Sequence, residues 1–462
     1  MHVEPNQILD HLDADQRMVA QHLGSPVAVI AGAGTGKTST LTHRLAYAAS
    51  IDALDPRATM ALTFTTSAAA EVKTRLEAMG VHGVASRTFH SAALRQAQYF
   101  WPTTYGCSLP QVEDNNEPLI RAACLRVGLG TPSPGMVNEI ATEISWTKQT
   151  NVLVEDYVDL ARVDQRSLTR LTLDQCADII SAYEEAKQAA CVIDLDDLLL
   201  CTVALLTTAP EAARKVRTTY RHFLFDEYQD ISPVQARLVE LWVSGRDDVC
   251  VVGDPGQTIH SFAGSRSIYL ENFAESHPRS ESMELRRNYR STPQILYAAN
   301  VVSQSGFHLV PLRDSGADVD IVCAQDSLAE ATENAHWLKA RHRDGVEWEQ
   351  MAVLMRTKAA IESIRQILAD EQIPFTMDRS GNPSVPGVRL MTLHGAKGLE
   401  WEVVVVAGLH DGALPHPLST SSAAIAEERR LLYVGMTRAR SFLRLSWPGT
   451  VDGRIAAKTR FL

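Results

Sequence analysis

One stretch constrains this chain more than any other: Val27-Ala-Val-Ile-Ala31 leading into Ala31-Gly-Ala-Gly-Thr-Gly-Lys-Thr38. A short apolar run ending in glycines reads as a buried strand that gives way to a tight loop, and the residues from Lys37 onward read as a helix opening on that loop. This strand–loop–helix order is what a phosphate cradle requires. Glycine lets successive backbone N–H groups turn inward, and the helix N-terminus adds a favourable partial charge. Ala33, Gly34, Thr35, Gly36, Lys37, Thr38 and Ser39 are the candidate contacts. Lys37 has the reach for the β- and γ-phosphates of a nucleoside triphosphate, and the Thr38 hydroxyl suits Mg2+. The strict pattern begins with Gly, where this chain has Ala31.

A second apolar run, Phe223-Leu-Phe225, delivers Asp226 and Glu227. A lone Asp-Glu pair is usually a solvated turn. Behind a hydrophobic strand, in a chain with a phosphate loop, Asp226 suits Mg2+ and Glu227 suits the general base that deprotonates an attacking water. Further strand signals stand at Met60–Phe64, Val249–Val252, near 321, and at Met351–Met355, Val388–Thr392, Val403–Val406 and Phe442–Leu445. Between residues 93 and 198 the pattern changes: Met136, Ile140 and Ile144, then Leu173, Cys176, Ile180 and Tyr183, recur at helical spacing with no strand alternation. Loops rich in Gly, Pro, Ser and Asp are expected near 311–318 and 378–386.

The 462 residues are enough for two or three domains with large cores. Seven scattered cysteines include no C-x-x-C pair, which suggests reduced thiols and neither a zinc site nor a disulfide framework. The start, Met-His-Val-Glu-Pro, shows no secretory pattern, and the apolar run Val403–Leu409 is too short to span a bilayer, so a cytoplasmic protein is expected. A net charge of −11 argues against coating duplex DNA by charge alone. It leaves open single-strand binding, where stacking supplies much of the affinity.

Read together, the motifs resemble those of the UvrD/Rep/PcrA group of superfamily 1 helicases, in the family's order. Leu12-Asp-Ala-Asp-Gln16 is similar to the Q motif, Ala61 to Glu71 to motif Ia, Thr88-Phe-His-Ser91 to motif Ib and Asp226-Glu-Tyr-Gln-Asp230 to motif II. Val252-Gly-Asp-Pro-Gly-Gln257 resembles motif III, Leu285 to Ser291 motif IV, Thr392 to Trp401 motif V and Glu427 to Ala439 motif VI. The resemblance implies α/β architecture: two tandem RecA-like P-loop domains with a helical insertion in the first. Residues 1–92 and 199–283 would form motor domain 1A, 93–198 the insertion 1B, and 284–462 motor domain 2A, closing the motor without a 2B part. Gln16 would read adenine, Tyr289 would stack on it and Glu400 would touch the ribose. Gln257 would sense the γ-phosphate, with Arg290 and Arg438 reaching it, and ATP would bind between the two motor domains. Outside the motifs, both arginines would read as surface solubility or ion pairs.

Phe64, Thr65, His90, Phe262 and His394 are the candidate DNA contacts, with ordinary core packing the alternative for Phe64 and Phe262. The chain departs from the family at His260, where Tyr is usual, and at Ala263, where Arg is usual; grip on DNA is what these changes touch. The implied function is an ATP-dependent 3′–5′ helicase or translocase on single-stranded and tailed duplex DNA. The alternatives are a DNA-dependent ATPase that needs a protein partner to unwind duplex, for example a nuclease of the phage-defence type, and a nucleotide-gated DNA-binding module.

Overall fold

A computed structural model describes residues 4–303, 306–377 and 386–462, so most of the loop expected at 378–386 lies outside the described residues. Two compact units emerge. The first comprises Met1–Ile30, Lys37–Pro255 and His260–Glu284, and the second Ala31–Gly36, Gly256–Ile259 and Leu285–Leu462.

The strands around the first unit are β1 (Val27–Ala31), β2 (Thr59–Thr63), β3 (Ala85–Thr88), β4 (Gln111–Glu113), β5 (Val192–Asp194), β6 (His222–Phe225), β7 (Val249–Gly253) and β8 (Glu281–Leu285). A six-stranded sheet runs in the order β3-β2-β6-β7-β1-β8. Its β3-β2, β2-β6, β6-β7 and β7-β1 pairings are parallel. Strands covered by helices on both faces must be apolar throughout, and β2 and β7 are buried at every position. Around them, Phe89 stacks at 6.1 Å on Phe225 and at 6.0 Å on Trp242. The polar run Ala-Ser-Arg-Thr of β3 gave no sequence signal because edge strands need no apolar alternation.

The helical stretch has its own core. Ile140, Ile144, Cys176, Ile180 and Tyr183 are buried in it, with Met136 and Leu173 partly buried at its margin. The reading of 93–198 as free of strands needs one correction: β4 and β5 pair in parallel there. Three residues are too few to show a period.

Beneath this core lies a charged knot. Lys148 contacts Asp194, Asp197 at 2.7 Å and Glu184 at 3.0 Å, while Lys187 contacts Asp197 and, at 2.8 Å, Glu184. The Tyr183 hydroxyl donates to Asp194 at 2.8 Å. Burial opposes the Lys148 ammonium, yet Asp194, Asp197 and Glu184 together hold its pKa above the ordinary lysine value. Removing one partner of such a buried set leaves carboxylates uncompensated, a loss of roughly 3–5 kcal/mol. Lys148→Met should therefore lower the thermal midpoint measured by circular dichroism clearly; an unchanged midpoint would refute this account of the knot.

The second unit holds β9 (Arg287–Asn288), β10 (Val310–Pro311), β11 (Asp320–Ala324), β12 (Met351–Met355), β13 (Phe375–Thr376), β14 (Val388–Thr392), β15 (Trp401–Val406) and β16 (Ala439–Pro448). Its six-stranded sheet runs β11-β16-β15-β12-β14-β13, parallel throughout. The α/β architecture of two RecA-like domains expected from the sequence is thus observed as two parallel sheets. Among the described residues, no helix is long and apolar enough to cross a membrane, and all seven cysteines are free.

Candidate active site

Parallel strands share a direction, so the C-terminal ends of β1, β2, β6 and β7 open on one edge of the first sheet, where open α/β folds present their binding groups. From that edge β6 delivers Asp226 and Glu227, β7 delivers Asp254, and β2 delivers Phe64 and Thr65. The loop after β1 turns through Gly34 (φ +68°) and Gly36 (φ +78°), conformations that suit glycine. Thr35 Oγ1 ties it back to the Gly32 carbonyl at 2.9 Å. Lys37 opens the helix Lys37–Ser50, and Lys37, Thr38 and Ser39 are all half-buried.

Glu227 occupies the left-handed region at φ +53°, unusual for a residue with a Cβ. Two bonds hold the turn. Its N–H donates to Asp226 Oδ1 at 2.9 Å, and its carboxylate accepts from Gln229 Nε2 at 2.6 Å. The other end of the fully buried Gln229 amide accepts from Asp254 N at 2.9 Å. A Cβ on Gly253 would lie 2.3 Å from that Gln229 oxygen, so glycine is required there. Gln229 thus ties the β6 turn to the β7 turn. Sequence reading did not single it out; its only signal was its place in the Asp-Glu-Tyr-Gln-Asp run.

The second unit contains the phosphate-loop residues 31–36 together with motif IV. Asn288 is fully buried and was also missed. Its Nδ2 donates to the Ala33 carbonyl at 2.7 Å, while its Oδ1 accepts from Arg290 N at 3.0 Å and Ser291 N at 2.8 Å. Tyr289 N donates to Gly34 O at 2.9 Å. A Cβ on Gly34 would lie 2.7 Å from Arg290 Cβ, so that arginine rises beside the loop. Arg290 pairs with Glu400 and donates from Nη1 to Thr437 O at 3.2 Å. The ion pair considered for Arg290 is therefore present, and it joins two residues of the expected nucleotide set.

Arg438 is 2% exposed. It donates to Val434 O at 2.9 Å, Leu399 O at 3.2 Å and Gln257 Oε1 at 3.0 Å. Lys397 Nζ and Arg430 Nε hold the adjoining backbone by donating to Gln257 O at 2.6 Å and Thr258 O at 2.7 Å. Gln16 closes a capping box with Asp13, its Oε1 accepting from Asp13 N at 3.2 Å.

Among the residues expected to contact DNA, Phe64 and His90 line, with Gln149, His260 and Ser265, a cavity of about 290 Å³ in the first unit. Phe64 also meets Phe89 edge-on at 6.3 Å, so packing and cavity lining coexist in that residue. Phe262 is 44% exposed, with its ring 5.8 Å from that of His260. Thr65 caps the helix Thr66–Ala78, accepting from Ala68 N at 3.1 Å. His394 is half-buried in the second unit, in the turn His394–Ala396.

The UvrD/REP helicase N-terminal domain model matches residues 12–278, and the UvrD-like helicase C-terminal domain model matches residues 283–382 and 376–449. The chain belongs to the UvrD/Rep helicase family. ATP-dependent DNA helicase UvrD2 of Mycobacterium tuberculosis (strain ATCC 25618 / H37Rv) is 31% identical over 561 aligned positions, which take in 97% of this chain and 80% of the relative. ATP-dependent DNA helicase UvrD1 of the same strain is 33% identical over 397 positions, covering 80% of this chain and 50% of the relative. The putative ATP-dependent DNA helicase YjcD of Bacillus subtilis (strain 168) is 25% identical over 622 positions, covering 98% and 80%.

Within this UvrD/Rep-family chain, the electrostatics of Asp226 test the fit of a divalent cation. Burial, then the neighbouring Glu227, raise its carboxyl from 3.8 to about 7, and Lys37 offsets this only in part. A buried carboxyl pushed up by burial and by an adjacent carboxylate suits a divalent cation such as Mg2+. The sign follows from linkage. The native state keeps a proton that the unfolded chain releases, so destabilisation is absent below pH 4, grows between pH 4 and 7, and is complete above pH 7. Asp226→Asn should therefore raise the nucleotide-free melting temperature at pH 8 and leave it unchanged near pH 4. An equal effect at both pH values would contradict it.

Proposed function

We propose that this chain is an ATP-driven motor that moves 3′ to 5′ on single-stranded DNA and separates tailed duplex. The observation that carries the reading is the buried Asp226 carboxyl next to Glu227 and near Lys37, with Glu227 held in a left-handed turn by Gln229. In this scheme Lys37 and the N–H groups of residues 33–39 bind the β- and γ-phosphates. Thr38 and Asp226 would hold Mg2+, which supplies charge neutralisation at the phosphates. Glu227 accepts a proton from water as its oxygen bonds to the γ-phosphorus and the bond to the β-phosphate oxygen breaks. Arg290 and Arg438 stabilise the charge that spreads over the transferring group, and Gln257 links Arg438 to the phosphate state. Gln16 and Tyr289 would take the adenine and Glu400 the ribose. Phe64, Thr65, His90, Phe262 and His394 would contact the strand, stacking being indifferent to base identity.

A second reading has its own support. The alignment with UvrD2 spans 561 positions and that with YjcD 622, against 462 residues here, so those relatives carry interior residues that this chain lacks. A compact motor without 2B that relies on a protein partner to open duplex fits this difference.

Turnover should be low without DNA, rise many-fold with single strands and respond weakly to blunt duplex. Strand separation should need a 3′ tail. Single strands that leave turnover unchanged would remove the motor reading, and unwinding from 5′ tails alone would reverse its direction. Stimulated turnover without unwinding selects the partner-dependent form.

A further inference from the structure

Phe262 stands on the loop that follows Gln257, and its backbone is not held by that loop alone. Arg166, from the helical stretch, donates from Nη2 to the Phe262 carbonyl at 3.1 Å. The guanidinium is itself fixed from two other directions. It binds Glu143 through Nε at 2.9 Å and Nη2 at 2.6 Å, and it lies 4.5 Å from the centre of the Trp146 ring. Glu143, 4% exposed, also accepts from the Tyr157 hydroxyl at 2.8 Å. A forked pair between a guanidinium and a carboxylate leaves little rotational freedom, and an aromatic face removes more. The remaining donor capacity is therefore aimed, not free to wander.

The loop also meets the C-terminal end of the helix Pro134–Gln149, which carries Glu143 and Trp146. Gly264 (φ +92°) is pressed on it: an added Cβ would lie 3.1 Å from Thr150 Cγ2 and 3.2 Å from Gln149 Cβ. Gln149 in turn accepts from Ser232 Oγ at 2.5 Å and donates to Asp196 at 2.6 Å. On the same loop Phe262 is 44% exposed, its ring beside that of His260. Such an arrangement fixes the backbone of a partly exposed aromatic residue.

We infer that Arg166 is a positioning residue: by anchoring the Phe262 carbonyl to the Glu143–Trp146 pair, it holds the Phe262 ring in the pose that accepts a stacked nucleobase. This rests on the proposed role of Phe262 at the strand. It adds that the helical stretch, and not the loop, sets the grip of that contact, so affinity for single strands should depend on residues that never touch DNA.

The test uses the full-length chain carrying Phe262→Trp as a fluorescent reporter. Short oligo(dT) should quench the new tryptophan by stacking. In that background the pair Glu143→Gln with Arg166→Met removes both charges together, so no buried carboxylate is stranded. The quench should then fall to a small fraction, and the oligo(dT) concentration giving half-maximal ATP turnover should rise about ten-fold, with turnover at saturating DNA within about two-fold. Arg166→Lys, which keeps the charge but cannot grip Glu143 with a fork and reach the carbonyl as well, should fall between. An undiminished quench and unshifted half-saturation in the double variant overturn the inference. No quench with Arg166 intact shows that Phe262 does not stack, a failure of the underlying reading. Should the double variant melt early, Arg166→Lys decides: wild-type quench and half-saturation there overturn the inference.

Discussion

Lys37→Ala and Glu227→Gln should each lower DNA-stimulated ATP turnover by about a thousand-fold, yet only the lysine variant should lose the nucleotide. The difference follows from where the two charges act. Lys37 opens the helix behind two left-handed glycines, where an ammonium pairs with phosphate in ground and transition states alike. Removing it takes away binding and rate together. Glu227 is the proposed base. Its carboxylate meets Gln229 Nε2 at 2.6 Å, and its left-handed backbone is braced by Asp226. Glutamine keeps the shape and removes the base, so a fluorescent ATP analogue should bind Glu227→Gln with near wild-type affinity. Removing the negative charge next to Asp226 should also ease the burden on that buried carboxyl. The nucleotide-free protein should be at least as stable as wild type at pH 8. Turnover within ten-fold of wild type for Glu227→Gln would remove Glu227 as the base.

Arg438→Ala should lower turnover by about a hundred- to a thousand-fold, in the range of a transition-state charge partner. This arginine is buried and spans three segments, donating to Val434 O and Leu399 O as well as to Gln257. Truncation would therefore strand acceptors and soften the packing, an effect separable by melting. Arg438→Lys keeps the charge but cannot serve all three acceptors, and a comparably large loss at a nearly wild-type melting temperature would identify geometry as the deciding factor. Arg290→Ala provides the contrast. Its partner Glu400 is 39% exposed and rehydrates readily, so stability should barely change while turnover still falls. Loss confined to stability for either arginine would return it to a structural role.

Several candidate site residues stood out in the sequence because phosphate chemistry demands fixed residue types at short spacing. Gly34, Gly36, Lys37 and Thr38 lie within five consecutive positions, and Asp226 and Glu227 end one apolar strand. The strands of both sheets were legible where burial on both faces makes them continuously apolar, as in β7 and β12. The polar edge strand β3 and the three-residue β4 and β5 had no such signature.

What the amino-acid order determined by itself was local: a glycine-rich loop ahead of a helix, a carboxylate pair at the end of an apolar strand, and a helical stretch between α/β segments. Tertiary structure alone decided which side chains hold these pieces in place. Asn288 reaches Ala33 across 255 positions, Arg438 reaches Gln257 across 181, and Arg166 reaches the Phe262 carbonyl across 96. No periodicity encodes such pairs, because a single hydrogen bond leaves no repeating pattern in the chain. It forms only after burial of the cores has brought distant backbones within reach.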